Sequence, residues 1–352
     1  MHMADALLSP TVGGVMWAAS SGLLAYSSMK VKTTLEDSRV PLMGVLAAFV
    51  FAAQMINFSI PGTGSSGHLG GGLILAALLG PHAAFLSIAS VLAVQALFFA
   101  DGGLLALGCN IFNLGFFPCF LAYPLIFKPL TGENPSRGRL MAASVIAAVV
   151  GLQLGAFGVV LETQASGISE LPFGSFVLLM QPIHLAIGLV EGVATAMLLV
   201  FVHKARPELF GAALANQERR SLKPVLAGLA VATLLIGGGL SWFAASDPDG
   251  LEWAMAKVSG KEEMEAPETG IYAALADIQK RTAFLPDYAF KEAEGAAAEG
   301  AMAVEAKPEE KTESWPNVDA GTSVAGVLGG IMTLALAGMT GLVALRVRRN
   351  KG

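Results

Sequence analysis

Residues 140–161, LMAASVIAAVVGLQLGAFGVVL, hold no charged side chain. An α-helix of roughly 20 apolar residues, rising 1.5 Å per residue, spans the hydrocarbon core of a bilayer. The stretch therefore predicts a membrane span over 138–161. Working outward from it, further apolar runs predict helices near 11–28, 40–58, 69–80, 84–100, 109–127, 175–202, 224–244 and 322–345. The composition agrees. Of 352 residues, 54% are hydrophobic and 14% charged, where soluble domains carry roughly 25% charged residues, and mean hydropathy is +0.62. The fold class expected is an all-α polytopic membrane protein, with the lipid bilayer as its solvent. The run at 69–80 is short and opens on His68-Leu69-Gly70-Gly71-Gly72. It predicts a short or broken helix leaning on protein rather than lipid.

The basic residues set the expected orientation. Of the 22 Lys and Arg, only Arg139 falls inside a predicted span, as the second residue of 138–161. Lys30, Lys32 and Arg39 follow the first span, and Lys128, Arg137 and Arg139 follow the fifth. Lys204, Arg206, Arg219, Arg220 and Lys223 follow the seventh; Arg346, Arg348, Arg349 and Lys351 follow the last. The short loops near 59–68, 101–108 and 162–174 have none. The positive-inside rule then puts the N-terminus outside and the C-terminus in the cytoplasm of a cytoplasmic (inner) membrane. Segment 245–321 falls outside the cell, with 17 acidic and seven basic residues. Its end, around Glu292–Glu313, is rich in Ala, Glu and Lys and reads as a tether. A boundary falls in the cytoplasmic linker 206–223. Upstream lie residues 1–205. Downstream lie 224–345, two spans bracketing the acidic insertion 245–321, then a basic cytoplasmic tail over 346–352.

Several function classes drop out. A net charge of -5 argues against nucleic acid as a partner. No Walker A motif is present, so the chain shows no means of using ATP. Cys109 and Cys119, ten residues apart on one predicted helix, would sit about 15 Å apart along its axis, too far for a disulfide. They read as small apolar residues. The opening MHMADALLSP lacks a basic n-region and a cleavage site. Residue 1 is expected to be the mature terminus, with Met1 retained before the bulky His2 and its amine free.

A free amine followed by histidine is a ready chelate. The Met1 α-amine, the His2 backbone nitrogen and the His2 Nδ1 close a five- and a six-membered ring on one metal ion. Three coplanar nitrogens suit nickel(II) or copper(II), with cobalt(II) also open. His68 is the best candidate for a fourth donor. It lies in the loop Pro61-Gly62-Thr63-Gly64-Ser65-Ser66-Gly67-His68, expected on the same outer face. Asn57, Ser65 and Ser66 could supply hydrogen bonds behind the ligands. A Met-His start and a single loop histidine also arise by chance, so this pattern alone does not decide for a metal. Glu191 is the carboxylate placed deepest in a span, where a charge is costly. His184 lies seven residues earlier on the same helical face, and a His184–Glu191 hydrogen-bonded clamp is the favoured reading. The alternative is that the pair positions helices around the site. Gly14, Ala18 and Gly22 on the first helix, and Gly44, Ala48 and Ala52 on the second, form small-residue stripes. Such stripes allow close packing within the bundle or docking of a separate membrane subunit.

These residues resemble a known family. Met1-His2-Met3-Ala4-Asp5-Ala6-Leu7, the Pro61–Gly72 loop with His68, and Gln181-Pro182-Ile183-His184 through Glu191-Gly192 are similar to the CbiM/NikM substrate-specific components of energy-coupling factor transporters. Residues 224–345, with Asp247-Pro248-Asp249-Gly250-Leu251-Glu252, resemble the CbiN/NikN accessory subunit and its PDGLE segment. The chain then looks like a fusion of the two. The resemblance implies a bacterial or archaeal seven-helix capture bundle of the S-component type plus two further transmembrane helices. It implies Ni2+ or Co2+ as transported substrate, with no prosthetic group and no enzyme activity of its own. The metal would be held by Met1, His2 and His68. The implied partners are a transmembrane coupling subunit and cytoplasmic ATP-binding-cassette ATPases that hydrolyse ATP. Many relatives follow Met-His with an Ile-Pro-Asp-Gly type turn, where this chain has Met3-Ala4-Asp5-Ala6. That departure leaves the chelating atoms in place and the choice between nickel and cobalt open. Two rival readings predict otherwise. A membrane scaffold recruiting a partner through the acidic loop needs no metal, and a vitamin-type capture subunit needs no N-terminus.

Overall fold

The computed structural model describes residues 2–34, 36, 39–132, 135–206, 221–262, 264–291 and 315–349. Each apolar run carries a helix. In chain order these are α1 (Pro10–Thr34), α2 (Val40–Gln54), α3 (Gly72–Leu79), α4 (Pro81–Phe98), α5 (Leu107–Thr131), α6 (Arg137–Ser166), α7 (Phe173–Ala205), α8 (Lys223–Gly238) and, last, α11 (Ala320–Arg349). Two shorter helices lie between, α9 (Gly250–Ser259) and α10 (Gly270–Thr282). Five of the long helices, α4 to α7 and α11, are long and apolar enough to cross a membrane; α2 and α8 are apolar but shorter. A hairpin of β1 (Phe58–Ile60) and β2 (Ser65–Gly67) is antiparallel, with Ser59 opposite Ser66. The expectations at 207–220, 292–314 and beyond 349 fall outside the described residues.

The expected broken helix is there. All of α3 is buried, and its eight residues reach only about 12 Å, well short of a bilayer. Gly80, at φ 81°, turns the chain directly into α4. On α7, Leu178, Leu189, Met197 and Phe201 stand exposed, as a lipid-facing surface requires.

The two small-residue stripes part company. A Cβ on Gly44 would stand 2.9 Å from the Leu334 carbonyl of α11, whereas one on Gly14 or Gly22 meets nothing within 4 Å. The stripe on α2 is therefore packing for the C-terminal helix, and the stripe on α1 faces outward. The α8–α11 crossing also rests on glycine, with Gly237 against Gly326. Close helix approach of this kind replaces the hydrophobic effect, which lipid cannot supply between helices.

The segment before α1 is threaded into the bundle rather than lying on it. Met3, Leu7 and Leu8 are buried in the core. Met3 is thus core filler. The Asp5 carboxylate caps the start of the opposite segment, accepting from the Ala106 N–H at 2.9 Å. From the C-terminal half, residues 245–288 fold over this same end. Ala245 N–H donates to the Asn57 carbonyl (2.8 Å) and Ser66 N–H to that of Pro248 (2.8 Å). Trp253 Nε1 donates to the Thr63 carbonyl at 2.9 Å. Asp249 starts α9 with a capping box, its carboxylate accepting from Leu251 and Glu252 while Glu252 reaches back to the Asp249 N–H. Much of the acidic segment is thus ordered against the first half of the chain.

Candidate metal centre

His2 and His68, 66 positions apart, lie ring on ring. Their centroids are 5.1 Å apart and their planes differ by 8°. Met1 lies outside the described residues, so the site is described from His2 onward.

The His2 arm is fixed by its neighbours in the chain. Met3 N–H donates to Asn110 Oδ1 (2.8 Å), Asn110 Nδ2 returns to the Met3 carbonyl (3.2 Å), and Gly103 N–H donates to that carbonyl too (3.0 Å). Gly102, at φ 82°, lets the facing turn press in. A Cβ there would stand 3.2 Å from His2 Cβ and 2.9 Å from Asn110 Nδ2. The His2 side chain is 8% exposed, its Nδ1 3.0 Å from Asp101 Oδ1, and its Nε2 has no hydrogen-bond partner among the described residues. Nδ1 is the atom that a terminal chelate needs. A metal taking it therefore displaces the Asp101 hydrogen bond.

The His68 arm is fixed from below. His68 Nδ1 lies 3.1 Å from the Leu69 carbonyl, which places its proton on Nδ1 and the lone pair on Nε2. Burial first, and then neighbouring positive charge, push the His68 imidazole down to about 3 despite the Asp249 and Asp101 carboxylates. It is neutral at physiological pH, the form that binds metal. Behind it, Glu191 accepts from the N–H groups of Gly70 (2.8 Å) and Gly71 (3.1 Å). Gln54 Nε2 donates to the Gly70 carbonyl (2.9 Å), and Gln95 Nε2 to Gln54 Oε1 (3.0 Å).

This corrects the expected His184–Glu191 clamp. Seven helical residues rise about 10 Å, so the two side chains do not meet. His184 Nδ1 instead lies 2.8 Å from the Met180 carbonyl, and its buried Nε2 has no partner among the described residues. Gly250 rests on it, where a Cβ would stand 3.2 Å from His184 Cε1. The two serines do not point at a metal either. Ser65 Oγ donates to the Ser66 carbonyl at 3.1 Å and Ser66 Oγ to the Asp247 carbonyl at 2.7 Å. Ser66 thereby docks the Asp247–Glu252 turn, whereas Ser65 bonds within its own strand. Asn57 lines the cavity beside the histidines.

That cavity holds about 370 Å³ and opens onto His2 and His68. Its acidic wall is Asp101, Asp249, Glu252 and Asp287, three of which come from the C-terminal half. Burial would raise the Asp101 carboxyl, but the charge and hydrogen bond of His2, with the Tyr288 hydroxyl, hold it well below the usual carboxylate range. Asp249 is likewise held low, burial being outweighed by nearby positive charge, His68 and the Glu252 N–H. Sequence reasoning missed Asp101, Asn110 and Asp249 as parts of this site. The Asp101-Gly102-Gly103 turn between two spans was the available signal for the first.

Two stacked imidazoles beside low-lying carboxylates, at one end of an apolar helical bundle, form a polar site in a membrane protein. The chain belongs to the family described as "Cobalt uptake substrate-specific transmembrane region" (CbiM), whose model matches residues 2–209, and a PDGLE domain matches residues 223–346. A NikMN chain of Archaeoglobus fulgidus is 32% identical over 96% of this chain and 96% of its own. The fused nickel transport protein NikMN of Rhodobacter capsulatus is 32% identical over 82% of this chain and 88% of its own. The cobalt transport protein CbiM of Geobacter sulfurreducens is 29% identical over 59% and 61%. A crystal structure of a transition metal transporter aligns at TM-score 0.51 and 31% identity, covering 58% of this chain and 93% of the other.

Proposed function

We propose that this chain is the substrate-capture subunit of an ATP-driven energy-coupling factor importer for Ni2+ or Co2+. The metal is held in a plane by the Met1 amine, the His2 backbone and Nδ1 nitrogens, and His68. The observation that carries this reading is the parallel stack of His2 on His68. Two imidazoles from distant parts of the chain meet, which supports His68 as the fourth donor of a terminal chelate. The acidic cavity above them is large enough for a cation with six waters, roughly 180 Å³ at about 30 Å³ each.

In this reading the histidine end faces outside and the C-terminus the cytoplasm, as the loop charges direct. The partners are a transmembrane coupling subunit and cytoplasmic ATP-binding-cassette ATPases. The outward-facing stripe of Gly14, Ala18 and Gly22 on α1 is the surface offered to the coupling subunit. Nickel is favoured over cobalt by the planar nitrogen set, with loss of the amide proton demanding strong ligand-field stabilisation. Titration of Ni2+ and Co2+ into purified wild type, His2→Ala and His68→Ala tests the reading. Tight 1:1 binding by wild type alone is expected. Equal binding by all three would overturn it.

A further inference from the structure

Tyr288 comes from the C-terminal half, yet its hydroxyl donates to Asp101 Oδ2 at 2.5 Å, and the other oxygen of that carboxylate holds His2 Nδ1 at 3.0 Å. We propose that Tyr288 is a positioning residue for metal capture, acting through Asp101 on the His2 imidazole. The inference rests on the chelate reading above.

The surroundings of Tyr288 are built to place this one hydroxyl. Pro286–Tyr288 is a tight turn, and both Asp287 (φ 50°) and Tyr288 (φ 62°) sit in the left-handed region. That conformation is unfavourable for residues with a Cβ and persists only where the surroundings impose it. Here they do. Asp287 N–H donates to the Phe99 carbonyl at 2.8 Å, and the Tyr288 ring stacks on Phe99 with centroids 5.0 Å apart. Gln279 of α10 clamps the same loop, donating to the Ala96 and Gly102 carbonyls at 2.8 Å each. The loop that carries Asp101 is thus gripped on both sides by the C-terminal half. Ala100, at φ 57°, is itself left-handed.

A chain terminus is ordinarily loose. A histidine there that is already parked beside its partner donor loses less freedom when the metal arrives, which raises affinity. Once the metal has taken Nδ1, the Asp101 carboxylate remains as counter-charge to the chelate. The hydrogen bond to Nδ1 is given up to the metal, so Asp101 favours the bound state through its charge and through where it parks the ring beforehand. Asp101 carries both placement and charge, and Tyr288 placement alone.

The test is a double-mutant cycle in the full chain, reading Ni2+ affinity by titration and the visible ligand-field spectrum of the bound ion. Tyr288→Phe keeps the ring and its stack. It is expected to weaken binding about tenfold and Asp101→Asn, which also loses the charge, about 100-fold, with the double variant no weaker than Asp101→Asn. The spectrum of Tyr288→Phe keeps the wild-type shape, because no donor atom is lost. An unchanged affinity in Tyr288→Phe, an equal loss in both backgrounds, or an altered spectrum would overturn the relay. Failure of the chelate reading looks different: wild type itself then binds no Ni2+, or His2→Ala binds as well as wild type.

Discussion

The two histidine arms differ in how the C-terminal half of the chain supports them. The hydrogen bonds beneath His68 come from residues 1–205, through Gln54, Gln95 and the Glu191 carboxylate under Gly70 and Gly71, while the strand before it is docked on Asp247 and Pro248. His2 is held by Asn110 through Met3, and by Asp101, whose loop is gripped by Gln279, Asp287 and Tyr288 from beyond residue 245. In the proposed chelate, His68 is supported mainly by the capture half, whereas the loop that holds His2 is gripped by the accessory half. On the proposed function, the accessory segment then has a physical task at the metal, in addition to packing α8 and α11 on α2.

Substitutions sharpen this contrast in order of size. His68→Ala removes a donor and is expected to cost more than the roughly 100-fold ceiling for groups behind a ligand, read by Ni2+ titration. A loss under tenfold would remove His68 from the ligand set. Glu191→Ala leaves two buried N–H groups without acceptors, at about 1–3 kcal/mol each. Thermal unfolding in detergent should show that loss without metal present, and metal affinity should fall as the His68 loop loosens. Asn110→Ala frees the Met3 backbone and is expected to weaken binding about tenfold with a smaller stability loss than Glu191→Ala. The reverse order would break the distinction between a deeply fixed arm and a terminal one. Ser66→Ala removes one hydrogen bond to the Asp247 carbonyl, about 1 kcal/mol, and its effect on affinity should stay under about tenfold.

Much of the fold was legible because lipid imposes simple rules. Apolar runs marked the helices, and the glycines at 70–72 announced a short one. Of the candidate site, His2 and His68 were singled out in the sequence, and the structure stacks those two rings. Asp101 and Tyr288 are 187 positions apart and no local pattern joins them. Glu191 was noticed for its cost in an apolar span, but its partner was misassigned, because one helical face suggests His184 whereas the unpaired N–H groups of a distant turn are the better acceptor problem to solve. Gly14 and Gly44 read alike in sequence. Only the position of α11 separates a packed stripe from an outward one.

The central claim is that the free N-terminus is itself a ligand. Calorimetric titration of Ni2+ into wild type, beside a form carrying one extra residue before Met1, addresses it directly. The account predicts tight 1:1 binding by wild type and none by the extended form, whose amine and amide have moved. Equally tight binding by both would contradict it.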